Sequence, residues 1–158
     1  MALMDAKEYD PGPARRRWKL IAAVAVILVV GLILWRIFRF WPEEHVINKF
    51  FQAIEAKNYE EAYAIYNADP DWKQHPDRYK GYTYNQFVLD WGPSGEYGPI
   101  TNHHVDCSLE LATKISGSPS GIIVVVTVNH RAQPQSLWVE KKSKTITLSP
   151  RDVVCHAP

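Results

Sequence analysis

The order of apolar and polar positions changes character three times along the chain. From Leu20 to Trp35 no charged or strongly polar side chain interrupts the run. Extended across Arg36 to Phe38, a helix would be about 28 Å long, close to the hydrocarbon thickness of a bilayer. After Pro42 the apolar positions recur at helical spacing: Val46, Ile47, Phe50, Phe51 and Ile54 form one stripe, and Tyr59, Ala62, Tyr63 and Tyr66 a second. Tyr84, Phe87, Val88 and Trp91 form a third. Beyond Thr101 the period becomes two. "HVDCSLELATKI" alternates, with Val105, Cys107, Leu109 and Leu111 on one face and His104, Asp106, Ser108 and Glu110 on the other. "IIVVVTVNHR" is apolar on both faces and β-branched, which predicts a central strand. "SLWVEKK" and "TITLS" predict a hairpin around Ser143 and Lys144, and "RDVVCH" a last short strand.

Local signals delimit these elements. Pro42 with Glu43 and Glu44 suits a helix start. Asn58 with Glu61, and Thr83 with Gln86, have the spacing of capping boxes. "NADPD" and Gly92–Pro93 are stops, and "SGSPSG" is a turn. Helices first and antiparallel strands afterwards predict an α+β fold, with helices packed on an antiparallel sheet.

The flanks of the apolar run give it a meaning. Trp18, Trp35 and Trp41 lie where interfacial aromatics belong, and Arg36 can snorkel to the headgroups. "RRRWK" ahead of the run fits a signal peptide, but "LWRIFRFW" offers no small-residue cleavage site. The expectation is an uncleaved signal anchor. The tight Lys/Arg cluster lies on the amino-terminal side, which places that side in the cytoplasm. Three regions follow: a disordered cytoplasmic tail, 1–17, a transmembrane helix contacting lipid through Trp18–Phe38, and an exported domain, 42–158, which is periplasmic in a Gram-negative cell.

The exported part, about 117 residues, is enough for one core. It carries eleven Lys/Arg against fourteen Asp/Glu, so it has no basic field for nucleic acid. Both cysteines, Cys107 and Cys155, lie in it. In an oxidising compartment they either pair as a disulfide or remain as two buried thiols. A zinc site built from Cys107, His130 and Cys155 lacks the usual short ligand spacing, so no metal and no cofactor are expected.

"INKFFQAIEAKNYEEAYAIY", then a short helix and long antiparallel strands, resembles the nuclear-transport-factor-2-like superfamily, whose fold is cone-shaped and cystatin-like. The resemblance covers roughly Val46 to Val154. It implies a curved sheet wrapping the first helix around a cavity. Members include small-molecule isomerases and hydrolases, binding proteins and non-catalytic assembly domains. Some envelope-assembly proteins of bacterial secretion systems share the layout of tail, single span and exported domain.

Candidate chemistry is sparse. His104 and Asp106 share a strand face, and an Asp–His pair can serve as a general base. Ser108 and Glu110 continue that face, which is also what a solvated polar face looks like. The glycines of "DWGPSGEYG" follow a helix and precede no Lys-Ser/Thr, so they form no phosphate loop. Trp72, Tyr79, Tyr82, Tyr84, Trp91 and Tyr97 are numerous enough to cap a core, line a cavity mouth or form an interface. The expectation is a membrane-anchored domain that binds a protein partner or self-associates without catalysis. The alternative is a tethered small-molecule-binding protein or enzyme with His104, Asp106 or His130 at a polar cavity. A purely structural component oligomerising through its span has no GxxxG motif to support it.

Overall fold

The computed structural model describes residues 12–110, 120–149 and 151–155. The predicted turn before Gly121, and Leu111, lie outside them. The chain divides near residue 39 into two compact units. The first contains helix α1, Gly12–Phe38, whose side chains are exposed throughout residues 17–38. It is long and apolar enough to cross a membrane. The helix begins at Gly12, inside the segment expected to be a disordered tail.

The second unit is α+β. Helix α2, Trp41–Glu55, opens on Pro42 with Glu43 and Glu44 in its first turn. Its stripe of Ile47, Phe50, Phe51 and Ile54 is buried. The chain leaves α2 through Lys57 at φ 58, and Asn58 restarts it as α3, Tyr59–Asn67. The Asn58 carbonyl oxygen of the side chain accepts from the Glu61 amide at 3.3 Å, and its Nδ2 donates to the Glu61 carboxylate at 2.7 Å. Two 3-10 turns, Trp72–Gln74 and Pro76–Tyr79, precede α4, Tyr84–Trp91. Thr83 caps α4 through the Gln86 amide, and Gly92 ends it.

Among the described residues four strands follow: β1, His103–Leu109; β2, Gly121–Val128; β3, Gln135–Glu140; and β4, Ile146–Leu148. They form an open antiparallel sheet in the order β1-β2-β3-β4. β2 lies inside the sheet and is buried on both faces, as its continuous β-branched run predicts. Ile122, Val124, Val126 and Val128 share one core with α2, Phe87 and Trp91. Leu137, Val139 and Ile146 extend it across β3 and β4. Carboxylates in the first turn of α2 fasten it to the sheet side: Lys144 Nζ lies 2.5 Å from the buried Glu43, and Ser108 Oγ donates to Glu44 at 2.7 Å.

The opposite face of the sheet carries Ile123 and Val125, also fully buried. Trp138 lies on this face beside Gly121, where an added Cβ would meet the Trp138 ring at 2.5 Å and the Val139 carbonyl oxygen at 2.4 Å. Only a residue without a side chain fits under that ring. The segment predicted as a last strand, "RDVVCH", is not one in its described residues, 151–155. It joins no ladder. The Val153 amide donates to Ser136 Oγ at 3.2 Å, and Cys155 forms a disulfide with Cys107. Ser136, Val125 and Cys107 lie in register on neighbouring strands. The carboxyl-terminal segment therefore crosses β3, β2 and β1 as a strap.

That geometry corrects the expected phase of β1. Val105 pairs with Val126, but Cys107 pairs with Val125, so Asp106 is the extra residue of a β-bulge. Cys107 was expected on the core face with Val105. The bulge turns it to the strap face and turns Ser108 inward to Glu44.

Candidate functional site

The aromatic segment between α3 and β1 separates into two clusters. Trp72, Tyr79 and Tyr84 surround the buried Tyr63, with ring centroids 4.8, 6.0 and 5.5 Å away. Tyr63 Oη donates to the Tyr82 carbonyl at 2.6 Å. Tyr79 Oη donates to Asp69 at 2.6 Å, and His75 Nδ1 lies 3.1 Å from the same oxygen. The Tyr79 hydrogen bond, more than His75, holds the Asp69 carboxyl below its usual range against some desolvation. These contacts make Trp72 and Tyr79 structural.

Tyr82, Trp91 and Tyr97 instead line an open cleft of about 640 Å³. Tyr66 of α3, Leu89 and Asp90 of α4, Ser94, Gly95 and Glu96 of the following loop, Gln135 of β3 and Leu148 of β4 complete its described lining. The last turn of α4 points Trp91 into the core and leaves Leu89 66% exposed on the rim. Leu148 sits at the end of the edge strand, 61% exposed. Tyr82 Oη donates to Asp90 at 2.8 Å. Burial first, and Asp90 second, push the Tyr82 phenol well above its ordinary value. Burial also raises Tyr66 and Tyr97, with the Asp90 and Glu96 charges adding respectively. The phenols therefore stay protonated, as donors. The Tyr97 ring stacks on Trp91 at 5.8 Å, and its hydroxyl bonds the Gln135 side chain. Arg131 lies over Tyr97, 5.1 Å from its centroid, and donates to the Glu96 backbone carbonyl at 2.7 Å. It lines a second cleft with Asp152 and Val153 of the strap.

His104 and Asp106 are exposed on the strap side of β1, where Asp106 accepts from Thr127 Oγ1 at 2.7 Å. His130 is exposed at the turn after β2, with φ 56. None of the three lines either cleft. The zinc alternative fails on chemistry, because both sulfurs are spent in the disulfide. Among the described residues no group of three or more His, Cys, Asp or Glu could hold a metal ion.

Three partnered groups were missed in the sequence. His103 lies 5.1 Å from Phe51, stacked, with Nδ1 2.7 Å from Glu55 and Nε2 3.0 Å from Asn48. Asn48 and Glu55 are seven apart on α2, hence on one helix face. With both ring nitrogens engaged and only 10% of its side chain exposed, His103 is a clamp between α2 and β1. Asn129 is a second clamp. Its Oδ1 accepts from the Thr101 amide at 2.9 Å, and its Nδ2 donates to the Tyr97 and Pro99 carbonyls at 3.3 and 2.9 Å. It thereby fixes the loop that carries Tyr97. The third is the Asp69 carboxylate already described.

Compared with known protein families, curated proteins and solved structures, the chain has no match. The site is therefore read on its own chemistry.

Proposed function

We propose that this is a single-pass membrane-anchored protein whose second unit lies outside the cytoplasm and binds a protein partner without catalysis. The open aromatic cleft carries this reading. Its rim exposes Leu89 and Leu148, while the imidazole of His103 and the carboxylate of Asp69 are engaged in structural contacts elsewhere. Exposed apolar side chains around an aromatic floor are the composition of an interface core. The lysine and arginine cluster before the apolar run favours a cytoplasmic amino terminus. The Cys107–Cys155 disulfide agrees with that orientation, because such bonds persist in oxidising compartments. The resemblance to the nuclear-transport-factor-2-like superfamily belongs to this reading as well, supported by an order of helices followed by an antiparallel meander.

Two experiments test it. A reporter fused after Pro158 should be active only outside the cytoplasm; cytoplasmic activity would reverse the topology. Crosslinking of the native membrane protein, followed by mass spectrometry, should recover a second protein. Recovery of this chain alone would remove the partner-binding reading.

A further inference from the structure

We infer that the cleft between α3, α4 and β4 takes a protein segment presenting a cationic side chain flanked by apolar residues. This rests on the partner-binding reading and adds the chemistry of the partner. Two carboxylates, Asp90 and Glu96, line the cleft, and among the described residues no lysine, arginine or histidine does. Both acids are exposed, so they act at the rim rather than as buried charges. Leu89, Asp90 and Trp91 belong to the last turn of α4, where helix carbonyls add partial negative charge. Tyr82 donates its phenolic proton to Asp90 and, with its raised pKa, keeps that proton, which leaves the carboxylate as the charge of the pair. The potential inside the cleft is therefore negative and calls for a cation.

The apolar rim decides what carries the cation. Leu89 and Leu148 flank the acids and are each more than three-fifths exposed. A free ammonium ion would leave both leucines in water. A peptide with apolar neighbours on either side of a lysine or arginine covers them while its charge meets Asp90 and Glu96. About 640 Å³ accommodates several side chains, more than a lone cation needs. Arg131 lines the second cleft, which shares Glu96, Tyr97 and Gln135 with this one, and its guanidinium is engaged by the Tyr97 ring and the Glu96 main-chain carbonyl rather than by either carboxylate.

The test uses the full chain in uncharged maltoside micelles and a fluorescein-labelled pentapeptide, alanine–leucine–lysine–leucine–alanine, followed by fluorescence anisotropy. Saturable binding that weakens with salt is expected, at least tenfold weaker for the double variant Asp90→Asn/Glu96→Gln and unchanged for Asp77→Asn, an exposed carboxylate of the Pro76–Tyr79 turn that lines neither cleft. Leu89→Ser should weaken it severalfold. Circular dichroism of each variant confirms folding, which both exposed carboxylates make a mild requirement. Equal binding of the glutamate counterpart of the peptide, or undiminished binding by the double variant, would overturn the inference. So would saturation by tetramethylammonium with no binding of the lysine peptide, which would make the cleft a site for small organic cations. A native partner crosslinked equally by wild type and double variant would leave partner binding standing and remove this inference alone. Recovery of no partner by wild type would remove both.

Discussion

Breaking the Cys107–Cys155 bridge should cost the second unit a large part of its stability. The two residues are 48 apart in sequence, with Cα atoms 6.0 Å apart. Closing a loop of that length in the unfolded chain removes entropy worth about 4 kcal/mol at room temperature. For a unit of this size that is a large fraction of the typical total. The strap also covers Val125, and its Val153 is held by Ser136, so releasing Cys155 lets water reach the outer face of β2 and β3. The double variant Cys107→Ala/Cys155→Ala avoids a reactive free thiol. Urea unfolding of the full chain in micelles, followed by tryptophan fluorescence, measures the effect. With a slope of about 2 kcal/mol per molar urea, the midpoint should fall by about 2 M. Reduction of the wild type should reproduce that fall and leave the double variant unmoved. Ser136→Ala, which removes only the clamp on Val153, should cost about 1 kcal/mol. A midpoint shift below about 0.5 M in the double variant would refute the strap as a stabilising element, and equal thiol labelling with and without reductant would refute the bond itself.

Asn129→Ala deletes four hydrogen bonds to the 97–101 loop and leaves alanine at φ 51, so a loss of about 3 kcal/mol is expected in the same urea assay. An effect under about 1 kcal/mol would show that the loop is held by other contacts. Alkaline pH should destabilise the second unit. Tyr66, Tyr82 and Tyr97 have folded values above the 10.0 of the free side chain, so above that pH the unfolded chain loses protons first and is favoured. The thermal midpoint should fall beyond about pH 10, less steeply in Tyr82→Phe; an alkaline profile identical in the two proteins would discount Tyr82. Deleting Asp106 should be tolerated, because the pairs on both sides of the bulge keep their register and only the Thr127 hydrogen bond is lost. A cost within about 1 kcal/mol and a retained disulfide are expected; free thiols in the deletion variant would mean that the bulge sets the register.

What was legible in the chain follows from the range of each interaction. The caps at Asn58 and Thr83 join residues three apart, so four letters carry the whole geometry. The inner position of β2 was equally plain, because a strand apolar on both faces has no solvent side to offer. The bulge left no trace in β1. His-Val-Asp-Cys-Ser-Leu alternates before and after the inserted residue, and a perfect alternation conceals a change of phase. The phase is decided by distant partners: Glu44 takes Ser108 on the helix side, while Cys155 takes Cys107 on the other. The histidines divide for a related reason. His103 falls in phase with Val105, an apolar position, and that was the available signal that it packs inward. His104 stands two positions from an aspartate in the sequence, yet in the fold it is exposed to solvent. The aromatics show the limit from the other side. Trp72 and Tyr82 stand ten positions apart in one loop of similar composition, but the fold gives one to Tyr63 and the other to the cleft. Composition thus located an aromatic segment, and only the packing of α3 against α4 and β4 determines which of its rings line the open cleft.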